Sequence, residues 1–384
     1  MIRIDNKKNC TGCSACSQIC PKNCIAMEMD DEGFLYPKVD MGKCIKCNRC
    51  EMICPVLNHP DYTDHVLGAY AGYSQNIEER MTSSSGGLFS LVANKILDEK
   101  GIVYGATLDD DHICSHMAIK KHDELYMLRG SKYVQSIIGN SYREIEDYLK
   151  KGKRVLFSGT ACQCAGLKAF LGKDYENLLI IDVLCHGVPS PKVFKRYLQN
   201  MELLYGARVK KIYFRSKTYS WKDYSVKVIF DNNSKYEKRS KDDEFMHLFL
   251  SDICLRPSCH ECQFKKLERP SDITLGDAWG IQRTMPELDD DMGTSVIIIH
   301  TQRGMRVFEN IKEKLIFREM DVDTLVSPNA DSRKSVLSHP NRRKFFKRLN
   351  KSMNWKDVYK VKDMTIFDRV KYKIYRVLCQ KKNT

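Results

Sequence analysis

Cys10-Thr-Gly-Cys13-Ser-Ala-Cys16-Ser-Gln-Ile-Cys20-Pro21 recurs 34 residues later as Cys44-Ile-Lys-Cys47-Asn-Arg-Cys50-Glu-Met-Ile-Cys54-Pro55. Each copy reads C-x2-C-x2-C-x3-C-P, a spacing in which three close thiolates wrap one iron–sulfur cube and the fourth, held by the proline turn, reaches the other cube. The expected ligand sets therefore cross. Cys10, Cys13, Cys16 and Cys54 would hold one [4Fe–4S] cluster, and Cys44, Cys47, Cys50 and Cys20 a second. Thiolate is the soft, charged donor that such clusters prefer, and the crossing keeps the cubes near enough to exchange electrons. A pair of structural zinc sites is the competing reading, but zinc needs only two C-x2-C hooks per ion and leaves the full duplication unexplained. Cys24 belongs to neither set and reads as a small buried side chain.

Between the copies, Ile25 to Met29 and Phe34 to Val39 flank Asp30-Asp-Glu-Gly33, a hairpin with a Gly-containing turn. Residues 1–60 are thus expected to form a dicluster domain of the bacterial ferredoxin kind. Beyond Pro60 the cysteine density falls and strand-like and helical runs alternate. Strands are expected at 102–108, 154–158, 178–184, 211–214, 225–230, 272–275 and 295–300. Helices are expected at 88–99, 141–151, 166–171, 192–204, 244–253 and 305–314. That alternation implies a mixed α/β body, α/β or α+β in class, over residues 61–325, with parts at 61–152 and 153–325.

The chain has 384 residues, 17 cysteines and a net charge of +14. The charge is not spread evenly: from Asp331 to Thr384 there are 17 lysines and arginines against 4 acidic residues, so the body is close to neutral. No nucleic-acid-binding motif accompanies the charge, and nucleic acid is not an expected partner. Residues 326–384 read instead as a basic, partly helical tail in which Lys and Arg alternate with Phe, Tyr and Trp355. An amphipathic stretch near Lys371–Leu378 is a candidate for contact with an acidic membrane surface. The N-terminus, Met1-Ile-Arg-Ile-Asp5, lacks the apolar stretch of a signal peptide, and no run reaches the length of a membrane span. A reducing cytoplasmic location is expected, where free thiols and clusters survive, with the tail offering peripheral contact at the inner face of a membrane.

Two features of the body fit an electron-accepting cofactor. Thr82-Ser-Ser-Ser-Gly-Gly-Leu88 stands immediately ahead of an amphipathic helix, where small residues let backbone N–H groups approach a phosphate; a simple capped helix start reads the same way. Four cysteines are scattered further on: Cys162 and Cys185 at strand ends, then the pair Cys259-His-Glu-Cys262. Strand ends of α/β sheets form ligand sites, so these four can converge, although any one of them taken singly is an ordinary buried thiol.

Five separated stretches share one resemblance. They are Ser83-Ser-Ser-Gly-Gly-Leu-Phe-Ser-Leu91, Arg129-Gly-Ser-Lys-Tyr-Val-Gln135, Gly159-Thr-Ala-Cys-Gln-Cys-Ala-Gly-Leu-Lys168, Asp182-Val-Leu-Cys-His-Gly-Val-Pro-Ser-Pro191, and Leu255-Arg-Pro-Ser-Cys-His-Glu-Cys-Gln-Phe264 continuing to Gly280. The body resembles the beta-subunit family of coenzyme F420 hydrogenases and dehydrogenases, in the form fused to a two-cluster ferredoxin domain. The resemblance implies an oxidoreductase in which FAD exchanges a hydride with a carrier such as coenzyme F420 and single electrons with iron–sulfur clusters. It implies that Ser84, Ser85, Gly86 and Gly87 contact the FAD phosphates, and that Ser131, Lys132 and Tyr133 lie along the flavin. Cys162, Cys185, Cys259 and Cys262 would hold a third [4Fe–4S] cluster. His186 is the candidate proton relay, and Asp277 and Trp279 candidates for the cofactor wall. The chain departs from the family in having Ala161 where proline is common and in adding Cys164. The expected partners are the hydride carrier and a redox protein or free ferredoxin. A non-catalytic electron-relay subunit, or a redox accessory to membrane-side polysaccharide synthesis, is the alternative function.

Overall fold

The computed structural model describes residues 1–60, 62, 66–329 and 333–363. In the N-terminal domain, β1 (Ile25–Met29) and β2 (Leu35–Val39) pair antiparallel across the expected turn, which Asp30 closes by accepting the N–H groups of Glu32 and Phe34. The sequence duplication is also a backbone duplication. Gly12 and Lys46, 34 residues apart, both have positive φ, as do Ser14 and Asn48, and each pair leads into one helical turn, Ala15–Gln18 and Arg49–Met52. A left-handed residue beside right-handed ones turns successive N–H groups toward one centre, the curvature a loop needs to wrap an anionic cluster.

The body strands are β3 (Gly68–Ser74), β4 (Ile102–Leu108), β5 (Cys114–Ile119), β6 (Val155–Thr160), β7 (Leu178–Val183), β8 (Val209–Ser216), β9 (Ser225–Phe230), β10 (Lys235–Arg239), β11 (Ile273–Asp277), β12 (Ser295–Ile299) and β13 (Leu315–Glu319). Eight of them form one mixed sheet in the order β13-β3-β12-β11-β7-β6-β4-β5. The centre, β4-β6-β7-β11, is parallel, and the flanking strands are antiparallel. Both faces are covered, so the central strands carry continuous apolar runs, Ile102–Tyr104, Val155–Phe157 and Leu178–Ile181. Leu156, Leu179 and Ile181 face the helices Leu88–Asp98 and Gln302–Ile311, while Val155, Phe157, Leu178 and Ile180 face Ser141–Lys150 and Ala161–Leu171.

A second layer is the antiparallel sheet β10-β9-β8, packed with the helices Pro191–Tyr205 and Glu244–Leu250. Buried Asp243 ties it together, accepting from the hydroxyls of Tyr197 at 2.7 Å and Tyr236 at 2.8 Å and capping its helix through the N–H of Met246. The basic C-terminal segment differs from expectation here. Over residues 342–361 it is built into the body: Phe345, Phe346, Leu349, Trp355 and Val358 are buried in the core of this layer, and Arg342 clasps Glu32 of the N-terminal hairpin. The alternation of cations with aromatics is that of amphipathic helices whose aromatic side is core, which removes Trp355 from any partner-contact surface. The membrane candidate at 371–378 lies outside the described residues. No helix among the described residues is long and apolar enough to cross a membrane.

Candidate active site

The crossing expected from spacing has a geometric counterpart. One hollow of the N-terminal domain is lined by Cys10, Cys13, Cys16 and Cys54. A second is lined by Cys20, Cys44, Cys47 and Cys50, and also by Cys24, whose Sγ lies 3.3 Å from that of Cys20. The donor chemistry fits a cluster. Burial and the neighbouring thiols push Cys13 up to about 12 and Cys16 well above its ordinary value. Such thiols ionise together only where a cationic centre offsets their mutual repulsion.

The four body cysteines also converge. Cys162 is the second residue of the helix Ala161–Leu171, which follows β6 directly, Cys185 follows β7, and Cys259 and Cys262 come from the one-turn segment Pro257–Glu261 and the residue after it. All four are half-buried and lie within electrostatic reach of one another: Cys162 is raised by desolvation first and then by Cys262, Cys185 and Cys259, and Cys259 is pushed up to about 12 by desolvation with Cys185 and Cys262. The N–H of Val188 donates to Cys259 Sγ at 3.4 Å. Cys164 is not a member, because its thiol turns toward the carbonyl of Ile181 in the sheet. Among the described residues, no group of three or more His, Cys, Asp or Glu is arranged to hold a single metal ion.

The tetrad abuts the Cys10 loop. Arg256, fully buried and three residues before Cys259, donates to the carbonyls of Cys10 at 2.8 Å and Leu35 at 2.9 Å, to Gln135 Oε1 at 2.9 Å, and to Cys10 Sγ at 3.5 Å. Val56, next after Pro55, packs in one cluster with Ala161, Cys162, Cys262 and Phe264.

On the other side of the tetrad a cavity of about 580 Å³ opens over the carboxyl ends of the parallel strands, the place where open α/β sheets bind ligands. Gly105 and Ala106 of β4, Ser158 to Thr160 of β6, Val183 at the end of β7 with Leu184 and Cys185 after it, and Leu275 to Asp277 of β11 form its floor. Ser83, Ser84, Ser85 and Gly87 line one end, where Gly87, at φ +88°, starts the helix Leu88–Asp98 with no acidic residue in its first turn and no side-chain cap. Uncapped N–H groups at a helix N-terminus suit an anion. Ser131, Lys132, Tyr133 and His186 also line the wall. Of the expected flavin contacts, Gly86 alone turns away: its N–H donates to Ser295 Oγ, and a Cβ there would lie 2.6 Å from the carbonyl of Gly72. Ser84 Oγ accepts from both the N–H and hydroxyl of Ser131, joining the two expected stretches. Lys132 Nζ donates to the carbonyls of Met127 and Arg129, and burial lowers it to about 8.

Residues 9–58 match the family described as the 4Fe-4S dicluster domain, and residues 152–324 match the C terminus of the coenzyme F420 hydrogenase/dehydrogenase beta subunit. The chain is an iron–sulfur oxidoreductase related to the F420 hydrogenase beta subunit. Among solved structures, a chain of the xenon-derivatised F420-reducing [NiFe] hydrogenase complex from Methanosarcina barkeri is similar at 15% identity and a TM-score of 0.47, covering 74% of this chain and 92% of that one. No curated protein matches significantly.

Several wall residues of this beta-subunit-like body escaped sequence reasoning. His116 of β5 is one. Its Nε2–H donates to the carbonyl of Ser158 at 3.0 Å, so Nδ1 accepts from the hydroxyl of Ser136 at 3.1 Å, which itself accepts from Gln163 Nε2 at 2.9 Å. Burial holds this neutral imidazole down to about 4. Arg215, at the end of β8, is another, paired with Asp277. His186 Nε2 lies 2.7 Å from Asp252 Oδ1, which orients its ring at the cavity wall.

Proposed function

We propose that the cavity binds FAD and a hydride carrier such as coenzyme F420, and that Cys162, Cys185, Cys259 and Cys262 hold a third [4Fe–4S] cluster. The observation that carries the reading is that Cys185 belongs to the tetrad and also lines the cavity. A flavin supplies the conversion between a two-electron hydride and single electrons, which clusters then carry. The protein's own residues orient and insulate. Ser84, Ser85 and Gly87, at the helix N-terminus, receive the phosphates. Tyr133, stacked on Phe249 at 4.9 Å, sets the plane of one wall. His186, held by Asp252, takes or returns a proton beside the flavin. Arg256 fixes the Cys10 loop against the segment bearing Cys259, and clusters held by the tetrad, by Cys10, Cys13, Cys16 and Cys54, and by Cys20, Cys44, Cys47 and Cys50 would supply a path for single electrons. Cys47 is exposed, surrounded by exposed Met41, Lys43, Ile45, Lys46, Arg49 and Met52, and this end meets a protein acceptor or ferredoxin.

Iron analysis of anaerobically purified protein tests the reading. About twelve irons per chain are expected, falling to about eight in Cys259→Ser/Cys262→Ser. Iron content unchanged by that substitution refutes the third cluster. Reconstituted protein without a flavin absorption band refutes the oxidoreductase chemistry at the cavity and leaves an electron relay. Anaerobic addition of reduced deazaflavin, NADH, NADPH or reduced ferredoxin in parallel identifies the donor by which one bleaches that band.

A further inference from the structure

Arg215 carries an unexplained feature. Its residue is nine-tenths buried in the cavity wall, and Nη1 is spent on Asp277, which Trp221 Nε1 also engages at 3.1 Å. Nε and Nη2 are buried with no hydrogen-bond partner among the described residues. These two atoms form the side edge of the guanidinium, a pair of parallel N–H donors with the geometry of a bidentate oxyanion contact. Buried donors left unmade are costly, so such a pair calls for a group that the protein itself does not provide. The rings of Tyr224 and Trp279 lie 4.5 and 5.2 Å from the guanidinium carbon, and Trp279 is in turn stacked on Trp221 at 4.8 Å, so the fork is clasped in a fixed plane.

The surroundings favour negative charge. Lys217 is buried nearby with its Nζ on the carbonyls of Arg80, Ser85 and Met292, and burial with the neighbouring Arg215 and Arg80 lowers it to about 7. Arg80 pairs with Asp290 and Arg215 with Asp277, which leaves Lys217 as a third basic group beside two ion pairs. An anion in this part of the cavity would relieve the excess.

We infer that the side edge of Arg215 is an oxyanion subsite, gripping a phosphate or carboxylate of a ligand bound in the cavity. The inference rests on the cavity being the cofactor and substrate site. The oxyanion comes either from the flavin's diphosphate or from a phosphate or carboxylate of the hydride carrier.

The test uses full-length protein with its clusters, as wild type, as Arg215→Lys, and as Arg215→Gln/Asp277→Asn, which removes the buried charge pair together and keeps the fold from bearing an unpaired carboxylate. FAD, riboflavin and inorganic pyrophosphate are titrated by flavin fluorescence and thermal shift. If the flavin supplies the oxyanion, FAD affinity falls roughly tenfold in Arg215→Lys, which keeps a charge but loses the fork, and roughly a hundredfold in the double variant, with riboflavin unaffected. If the carrier supplies it, FAD affinity is unchanged. The same losses then appear on FAD-loaded protein for a deazaflavin bearing phosphate and carboxylates, and not for neutral deazariboflavin. Equal effects on charged and neutral ligands, or none on either, overturn the subsite and leave the fork merely covered by its two rings. Wild type that binds no flavin defeats the flavin reading, and pyrophosphate then decides the subsite alone: stabilisation of wild type but not of Arg215→Lys upholds it, and equal response overturns it.

Discussion

Substituting Gly166 by alanine sets two effects of known size against each other at the seam between the N-terminal domain and the body. Gly166 lies one turn after Cys162 in the helix Ala161–Leu171. A methyl there would stand 2.8 Å from Cys13 Cβ, 3.0 Å from the Tyr142 hydroxyl and 3.1 Å from Cys13 Sγ. Neither neighbour can retreat cheaply. Tyr142 is fully buried and donates to the carbonyl of Gln163 at 2.8 Å, and Cys13 sits in a loop fixed by the positive φ of Gly12 and Ser14. Removing an interior helical glycine stabilises by about 1 kcal/mol, whereas overpacking a tight core costs about 1–3 kcal/mol. The expected result is a net loss of up to about 2 kcal/mol, read as a lower denaturant midpoint under anaerobic conditions. An altered electron paramagnetic resonance spectrum of the reduced cluster proposed at Cys13 should accompany it. A gain of about 1 kcal/mol with an unchanged spectrum would show open space at this position, and the contact between helix and cysteine loop would be wrong.

Two further perturbations follow from buried groups. His116 is held neutral on folding, at about 4 against 6.5 unfolded, so the unfolded chain binds the proton first as pH falls and stability is lost between those values. From pH 7.5 to 5.5 the wild type should lose about 1.4 kcal/mol that His116→Gln does not, and parallel pH profiles for the two proteins would contradict this. Arg256→Met removes three short charge-assisted hydrogen bonds and should cost at least about 3 kcal/mol. It should also speed the release of iron from the N-terminal domain to a chelator, and unchanged release would mean that Arg256 does not anchor the Cys10 loop.

The sequence was most readable where chemistry fixes spacing or where both sides of a strand are buried. The cysteine duplication needs only counting, because the ligands of a cube must come from a tight loop and one distant residue. Val155–Phe157 and Leu178–Ile181 read as strands because packing on both faces makes them continuously apolar. β3 went unread for the opposite reason. Its Gly68 and Gly72 lower strand propensity, yet Gly72 is needed because a Cβ there would meet the carbonyl of Ile316 at 2.8 Å. β10, Lys-Tyr-Glu-Lys-Arg, is a charged edge with one buried side chain. Arg215 lies one residue beyond the expected end of its strand, and nothing local marks a guanidinium whose Nε and Nη2 find no partner among the described residues. The aromatic residues of 342–361 looked like a partner surface because the wall they bury against, the helix Pro191–Tyr205, lies some 150 residues earlier.

The body places its tetrad where topology and sequence proximity coincide. β6 and β7 are adjacent and parallel, so Cys162 and Cys185 emerge at the same edge of the sheet without any further constraint. The remaining two thiols need a segment that returns to that edge, and Arg256 to Cys262 supplies it while also holding the Cys10 loop through Arg256. One short segment therefore sets the distance from the tetrad to the first N-terminal cysteine set and, through the contact of Val188 N–H with Cys259, the distance from the tetrad to the cavity rim. Electron transfer between fixed centres depends on such separations. A domain tethered only by residues 56–67 could hold its clusters at any of many distances, whereas one clasped at Cys10, Cys13, Glu32 and Val56 holds them at a single distance. On the proposed third cluster, the buried arginine and the crowded glycine at this seam would set a transfer distance as well as pack the two parts together.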